Sequence, residues 1–268
     1  MSMSHSFWED WSKSFNLTAF RGNLAYVSQH GTDINELTYL LTATYVELND
    51  KLKLLEILKE DELFGATNYK FTDNINVSRD LLDSILEINF LENIFELSVL
   101  DHPKLLDIGA GYGRLAHRLV TAIPNTTVYC TDAVPESTFI CEYYLDFRGV
   151  KDRAITIPLN EIKEKLPKLN IDIAMNVHSF SECTLEYIEW WLDIVRKNNI
   201  KYLFIVPHSS EFLTMETHGA PKTFYNSIIS RGYKLITKEE KYYNSKLINK
   251  YGLYPNVQYY VFELIQEK

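Results

Sequence analysis

The chain has 268 residues, 46% of them hydrophobic, which is enough for one substantial α/β domain plus an accessory segment. A net charge of −9 and a pI near 5.3 repel phosphate backbones, and the lysines of 163–168 and 238–250 form no basic patch, so no nucleic-acid partner is expected. Three cysteines without CxxC or Cys/His ligand spacing indicate neither a disulfide framework nor a zinc site, and no leader-like or bilayer-length apolar run is present; a cytoplasmic protein with no membrane partner is the expectation.

Residues 1–100 read as a mostly helical segment, suited to a lid, a dimer contact or plain packing, with a polar hinge at Gly65–Ser78. Asp33 and Glu36 have capping-box spacing, ahead of a helix whose apolar positions Leu37, Leu40, Leu41, Tyr45 and Leu48 keep one face. A second helix follows in "VSRDLLDSILEINFL", with Leu81, Ile85 and Ile88 in register. From residue 101 to 268 short apolar strands alternate with amphipathic helices, the signature of a doubly wound α/β sheet. Strands are predicted near 104–109, 126–132, 153–157, 170–176 and 200–206, with helices near 113–123, 135–148, 159–166, 180–197 and 221–231. The tail, "YKLITKEEKYYN" and "NVQYYVFELI", reads as two strands without a helix between them, so the mostly parallel sheet is expected to end on an antiparallel strand.

Behind the first strand of this second part stands "LLDIGAGYGRLAHRLV", with Gly109, Gly111 and Gly113 spaced G-x-G-x-G. Glycines at a strand-to-helix turn let a ligand lie against backbone amides. A dinucleotide site needs its third glycine where this chain has Arg114. Asp107, two residues before the first glycine, instead suits a ligand's ammonium group, and Asp132, at the tip of the next strand, suits ribose hydroxyls. S-adenosyl-L-methionine carries an ammonium and a ribose and no phosphate.

This constellation resembles the cofactor motif and following acidic position of the class I S-adenosylmethionine-dependent methyltransferases, whose fold is a Rossmann-like sheet. The resemblance covers Pro103 to the end. It implies that Asp107, Gly109, Ala110 and Gly111 line the methionine part and that Asp132, with Ala133 beside it, holds the ribose; Tyr112, by its position inside the glycine turn, is expected at the mouth of the site, facing the sulfonium. One departure concerns adenine: where many relatives place an acid after the third strand, this chain has "TIPLNEI", with Asn160 the nearest polar residue. The segments "VSRDLLDSILEINFLEN", "YCTDAVPESTFICEYYL" and "MNVHSFSECTLEYIEWW" are also similar to the bacterial sugar O-methyltransferases. That narrower resemblance implies a small-molecule or glycan acceptor, a sugar hydroxyl in a nucleotide-linked or glycan precursor. The alternatives are an N- or O-methyltransferase with a non-sugar acceptor, or a non-catalytic cofactor-binding protein. An oligomeric state is not specified.

A ligand of an open α/β sheet sits beyond the carboxyl ends of the strands, so a general base must follow a strand. That filter removes Asp172 and His117 and keeps His178 after the fourth strand, His208 after the fifth and, more weakly, His218. Asn176, at the tip of the fourth strand, is a further candidate for cofactor contact. Ser179 and Glu182 fit an S-x-x-E capping box that opens the next helix. Glu211 and Glu216 form no acidic pair, so no metal is expected.

Overall fold

The computed structural model describes residues 16–22, 26 and 34–265. Helix α1 (Glu36–Asn49), the single turn α2 (Leu54–Ile57), a hairpin of β1 (Tyr69–Lys70) with β2 (Asn76–Val77), and the long α3 (Arg79–Phe95) precede the main sheet. The chain then alternates through β3 (Lys104–Ile108), α4 (Arg114–Ala122), β4 (Thr127–Thr131), α5 (Pro135–Phe147), β5 (Ala154–Thr156), α6 (Ile162–Lys165), β6 (Ile173–Val177), α7 (Leu185–Lys197) and β7 (Tyr202–Val206). After α8 (Tyr225–Ile229) come β8 (Tyr233–Glu240), the turn α9 (Ile248–Tyr251) and β9 (Gln258–Leu264).

The seven-stranded sheet has the order β5-β4-β3-β6-β7-β9-β8. Strands β3 to β7 are parallel, and β9 enters antiparallel between β7 and β8. This is a Rossmann-like α/β fold with helices at its N-terminal side and the expected antiparallel final strand. The order reverses between β3 and β6, and that switch point opens a crevice at the carboxyl ends of β3, β4 and β6. Alternation along the strands builds two cores: Leu105, Met175 and Phe204 meet α3, α4 and α5 on one face, while Leu106, Ala174 and Leu203 meet α6, α7 and α8 on the other. Among the described residues no helix is long and apolar enough to cross a membrane.

Helix α1 departs from the expected pattern at both its start and its face. Asp33 lies outside the described residues, and the helix opens on Asn35, whose side chain accepts from the Thr38 amide at 3.1 Å while the Thr38 hydroxyl closes the box. Leu37 and Leu48 point to solvent; Tyr45 is buried as expected, and with it Thr38, Tyr39, Thr42, Ala43 and Val46. The buried Thr42 hydroxyl donates to the Thr38 carbonyl at 2.9 Å and accepts from the Leu253 amide at 2.9 Å, so a tertiary hydrogen bond outweighs the leucine stripe.

Helix α3 shows a second departure. Besides Leu81, Ile85 and Ile88 it buries Arg79, Asp80, Asp83 and Glu87. Each carboxylate meets a cation from elsewhere in the fold: Asp80 takes Arg21 at 3.3 Å, Asp83 takes Lys241 at 2.5 Å, and Glu87 takes Arg114 through two bonds of 2.9 and 3.1 Å. Arg21 also bridges to Glu60, which takes Arg118 on its other oxygen. The helices before the sheet are therefore tied to the glycine-turn helix α4 and to the residue following β8 by buried charge.

Candidate functional site

The cleft at the switch point starts from the turn after β3. Gly109, Gly111 and Gly113 all have positive φ, at 75°, 57° and 84°. Two of them also lack room for a side chain. A Cβ on Gly109 would stand 2.1 Å from Ser179 Oγ, and one on Gly111 would stand 2.9 Å from the Tyr26 ring. Gly109 and Ala110 donate their amides to the Thr131 carbonyl at 2.8 and 3.2 Å, which binds the turn to the tip of β4.

Asp107, Gly109, Ala110, Gly111, Tyr112, Asp132 and Ala133 line one cleft together with His178. Asp107 is 4% exposed and accepts no hydrogen bond from the described residues. Burial pushes its carboxyl up to about 7, with the Glu87 and Asp132 charges adding to the effect against the pull of Arg114. Arg114 cannot neutralise Asp107 fully, because its guanidinium is committed to Glu87 and the Ser84 hydroxyl. The result is a buried acid that a bound cation would ionise.

Asp132 accepts the Gly111 amide on one oxygen at 3.0 Å and the Val134 amide on the other at 2.9 Å. Burial raises it to about 6 in spite of these bonds. Each oxygen keeps a further lone pair, which is what a pair of vicinal hydroxyls needs.

Two candidates turn inward. The Tyr112 ring forms part of the wall, but its hydroxyl donates to Asp80 on α3 and its ring packs against Phe20, Tyr26 and Tyr144. It pins the glycine turn to α3. Asn176, 1% exposed, donates to the Ile108 carbonyl at 2.8 Å and accepts the Phe180 amide at 2.8 Å, so both ends of its amide hold the β3 tip to the turn after β6.

His178 and His208 come together at the carboxyl ends of β6 and β7, ring centroids 5.1 Å apart. His178 lines the cleft, and its buried Nδ1 has no hydrogen-bond partner among the described residues. Burial, then the neighbouring His208, hold its pKa well below the ordinary value, so it is neutral at pH 7. Its backbone is strained, with φ 68° and ψ −36°. Three bonds enforce that geometry: the His178 amide to the Val206 carbonyl, the Ser181 amide to the His178 carbonyl, and the Asn176 clamp. His208 is half exposed at its side chain, and its Nε2 lies 3.7 Å from Glu182 Oε1. Burial and then Arg79 lower its pKa.

The S-x-x-E box does not form. Ser179–Glu182 makes a short 3-10 turn, and α7 begins on Thr184 without a side-chain cap. The Leu185 amide donates instead to Glu216, from the loop after β7, at 3.0 Å. With the cap supplied from a distance, Ser179 and Glu182 are left facing the cleft, where Tyr26, Val134, Cys183 and Trp191 join them. Nothing in the spacing marks Tyr26; for Glu182 the capping pattern concealed the signal. Asp172 lies at the opposite end of the sheet, accepting the Lys104 amide at 2.8 Å, and His117, half-buried on α4, meets the Tyr144 hydroxyl at 3.3 Å. Among the described residues no group of three or more His, Cys, Asp or Glu side chains is arranged to hold a metal.

No family model matches the chain. A release factor glutamine methyltransferase of Flavobacterium psychrophilum is 31% identical over 87 residues, which span 32% of this chain and 30% of that protein. Among solved structures, mitomycin 7-O-methyltransferase is similar over 69% of this chain and 56% of its own, at 13% identity and a TM-score of 0.47. The M. capricolum TrmK complex with S-adenosyl-homocysteine is similar over 65% and 68%, at 16% identity and a TM-score of 0.41.

Proposed function

We propose that the cleft binds S-adenosylmethionine and that the protein transfers its methyl group to a sugar hydroxyl. The observation that carries the cofactor reading is Asp107, a buried carboxyl that accepts no hydrogen bond from the described residues and lines the cleft beside the glycine turn. An ammonium would satisfy it. A pyrophosphate would be repelled by Asp107 and Asp132 together, which disfavours a dinucleotide. Bound there, the cofactor would supply an electrophilic methyl on a sulfonium. Asp107 would hold the ammonium, Asp132 the ribose hydroxyls, and the Asn176 clamp would keep the turn in shape.

The acceptor side is built from His178 and His208. A neutral imidazole with an orphaned nitrogen in the cleft wall can take the proton that a hydroxyl releases on methylation. His208, nearer solvent and beside the Glu182 carboxylate, can pass that proton outward. The sugar acceptor rests on the similarity of the glycine-turn segment and the three segments named with it to the sugar O-methyltransferases, and on the acidic character of the chain, which disfavours a polyanionic substrate.

The test is incubation with labelled cofactor and a panel of sugar nucleotides and glycans. We expect labelled product, and expect His178→Ala to lower turnover by at least about tenfold with cofactor affinity within about twofold of wild type. His178→Gly should lose turnover equally while matching or exceeding the thermal stability of His178→Ala, because glycine accepts the positive φ. Unchanged turnover in both variants would remove His178 from the proton path.

A further inference from the structure

Helix α1 is apolar on two opposite sides. Tyr39, Ala43 and Val46 turn into the core, while Leu37, Leu41, Thr44 and Leu48 make a row along the other side, where Leu37 is 63% exposed and Leu48 79%. A helix apolar on both sides is ordinarily one that is buried on both. The Thr44 hydroxyl donates to the Leu40 carbonyl at 2.8 Å, so the row presents its methyl without an unpaired donor. A second row lies beside the first: Tyr243, Leu247 and Tyr251, each at least half exposed, in the connection between β8 and β9. Its direction opposes that of α1. Tyr251 shares a hollow with Leu37 and Leu41, whereas the Tyr243 hydroxyl and the Asn244 amide reach the Asn49 side chain, next to Leu48, at 3.5 and 3.0 Å. Neither row contains a charged residue, and neither lines the cleft at the switch point. The five most exposed of these side chains leave roughly 500 Å² bare on one face, near the top of what a monomer ordinarily exposes in a single apolar patch.

We propose that this face is the interface of a two-fold homodimer, with α1 antiparallel to the same helix of a second copy. The spacing of the rows identifies the occupant. Their intervals are four, three and four residues in the first row and four and four in the second, so both read the same in either direction. An isologous contact needs a patch that complements itself under a two-fold rotation, which rows of this kind provide. The first row also has the alternating spacing of a helix-to-helix seam. With the axis crossing α1 between residues 42 and 43 and passing over Leu247, Leu37 would meet Leu48 of the partner subunit and Leu41 would meet Thr44 of the partner subunit. Tyr243 would lie against Tyr251 of the partner subunit, and Leu247 against Leu247 of the partner subunit. A parallel pair of α1 helices would carry the second rows to opposite sides and leave them bare, so burial favours the antiparallel arrangement. Two copies would remove about 1,000 Å² of apolar surface in this way, the size at which a specific interface begins, with charged side chains such as Glu47 and Lys250 left at the rim.

The experiment is sedimentation equilibrium of the full chain from about 1 to 100 µM, in about 0.15 M salt to screen the repulsion between two acidic chains. Wild type should pass from 31.3 kDa to twice that mass across the range. Leu37→Glu combined with Leu48→Glu sets like charges opposite one another at both ends of the seam and should weaken association by at least about a hundredfold. Leu37→Glu combined with Leu48→Lys sets opposite charges there and should recover at least about tenfold of that loss. In a parallel pair both combinations would set like against like, so the recovery reports the antiparallel register. Both leucines are exposed in the single chain, so neither combination should move the melting temperature at the lowest concentration by more than about 3 °C. A wild type that stays at 31.3 kDa through the range overturns the inference, and flotation of that monomer with phosphatidylcholine vesicles would assign the face to a lipid surface instead. Equal association of the two double variants, or a dimer that both leave intact, overturns it as well.

Discussion

Asp107→Asn is expected to weaken S-adenosylmethionine binding by about 10²-fold while making the free protein more stable. The loss follows from removing a buried carboxylate whose charge-assisted bonds to an ammonium are worth about 1.5–3 kcal/mol, with the remainder from the neutral amide's poorer acceptor strength. The gain follows from the state of Asp107 in the free protein. Its carboxyl is raised to about 7 in the fold, against an ordinary value near 3.9 in the unfolded chain. An acid raised in this way favours the fold fully only below about pH 4, and that contribution is lost as pH climbs to about 7. The stability gained by Asp107→Asn should therefore grow between about pH 4 and pH 7 and level off above, by roughly 4 kcal/mol in all. Denaturant titrations at pH 5 and pH 8, paired with calorimetry, check both halves. A variant that binds as tightly as wild type would remove Asp107 from the cofactor site.

Asp83→Ala is expected to destabilise the fold by about 3–5 kcal/mol. Asp83 is 5% exposed and holds two cations, Lys241 at 2.5 Å and Arg79 at 3.1 Å. Burial alone would raise its carboxyl, yet Lys241 and then Arg79 keep it well below the usual range. Lys241, 4% exposed, is itself lowered by burial, so removing the carboxylate strands an ammonium in the interior. The paired replacement Asp83→Leu with Lys241→Met should recover most of the loss, because two apolar side chains leave no uncompensated charge. Equilibrium denaturation of the single and double variants measures this coupling. If Asp83→Ala costs less than about 1 kcal/mol, the charge pairs between α3 and the residue after β8 do not hold the helical segment to the sheet.

The parts of this molecule legible in its sequence are those fixed by local chemistry. Alternation of strand and helix periods placed β3 to β7 within a few residues, and the two strand patterns of the tail foretold the antiparallel finish, although a single helical turn, α9, stands between them where none was expected. The glycine turn was legible because glycine adopts the positive φ at 109, 111 and 113 without strain and leaves room where a Cβ at 109 or 111 would collide. What the local pattern concealed are contacts made across long separations. The α1 face was misread because a hydroxyl 211 residues from its partner amide decides which side is buried. The α7 cap was misread because Glu216, 31 residues away, takes the role that Glu182 seemed placed to fill. Tyr112 is drawn inward by Asp80, 32 residues earlier, in a charge layer whose pairing no spacing rule describes.

Calorimetric titration of the full chain with S-adenosylmethionine at pH 6, 7 and 8 tests the central claim most directly. An ammonium favours the ionised carboxylate, so a ligand that draws on Asp107, raised to about 7, binds more tightly as that group loses its proton. The account predicts saturable binding of one equivalent that strengthens from pH 6 to pH 8, with no comparable binding of NAD. No saturable binding at any of the three pH values, or preferential binding of NAD, would contradict it.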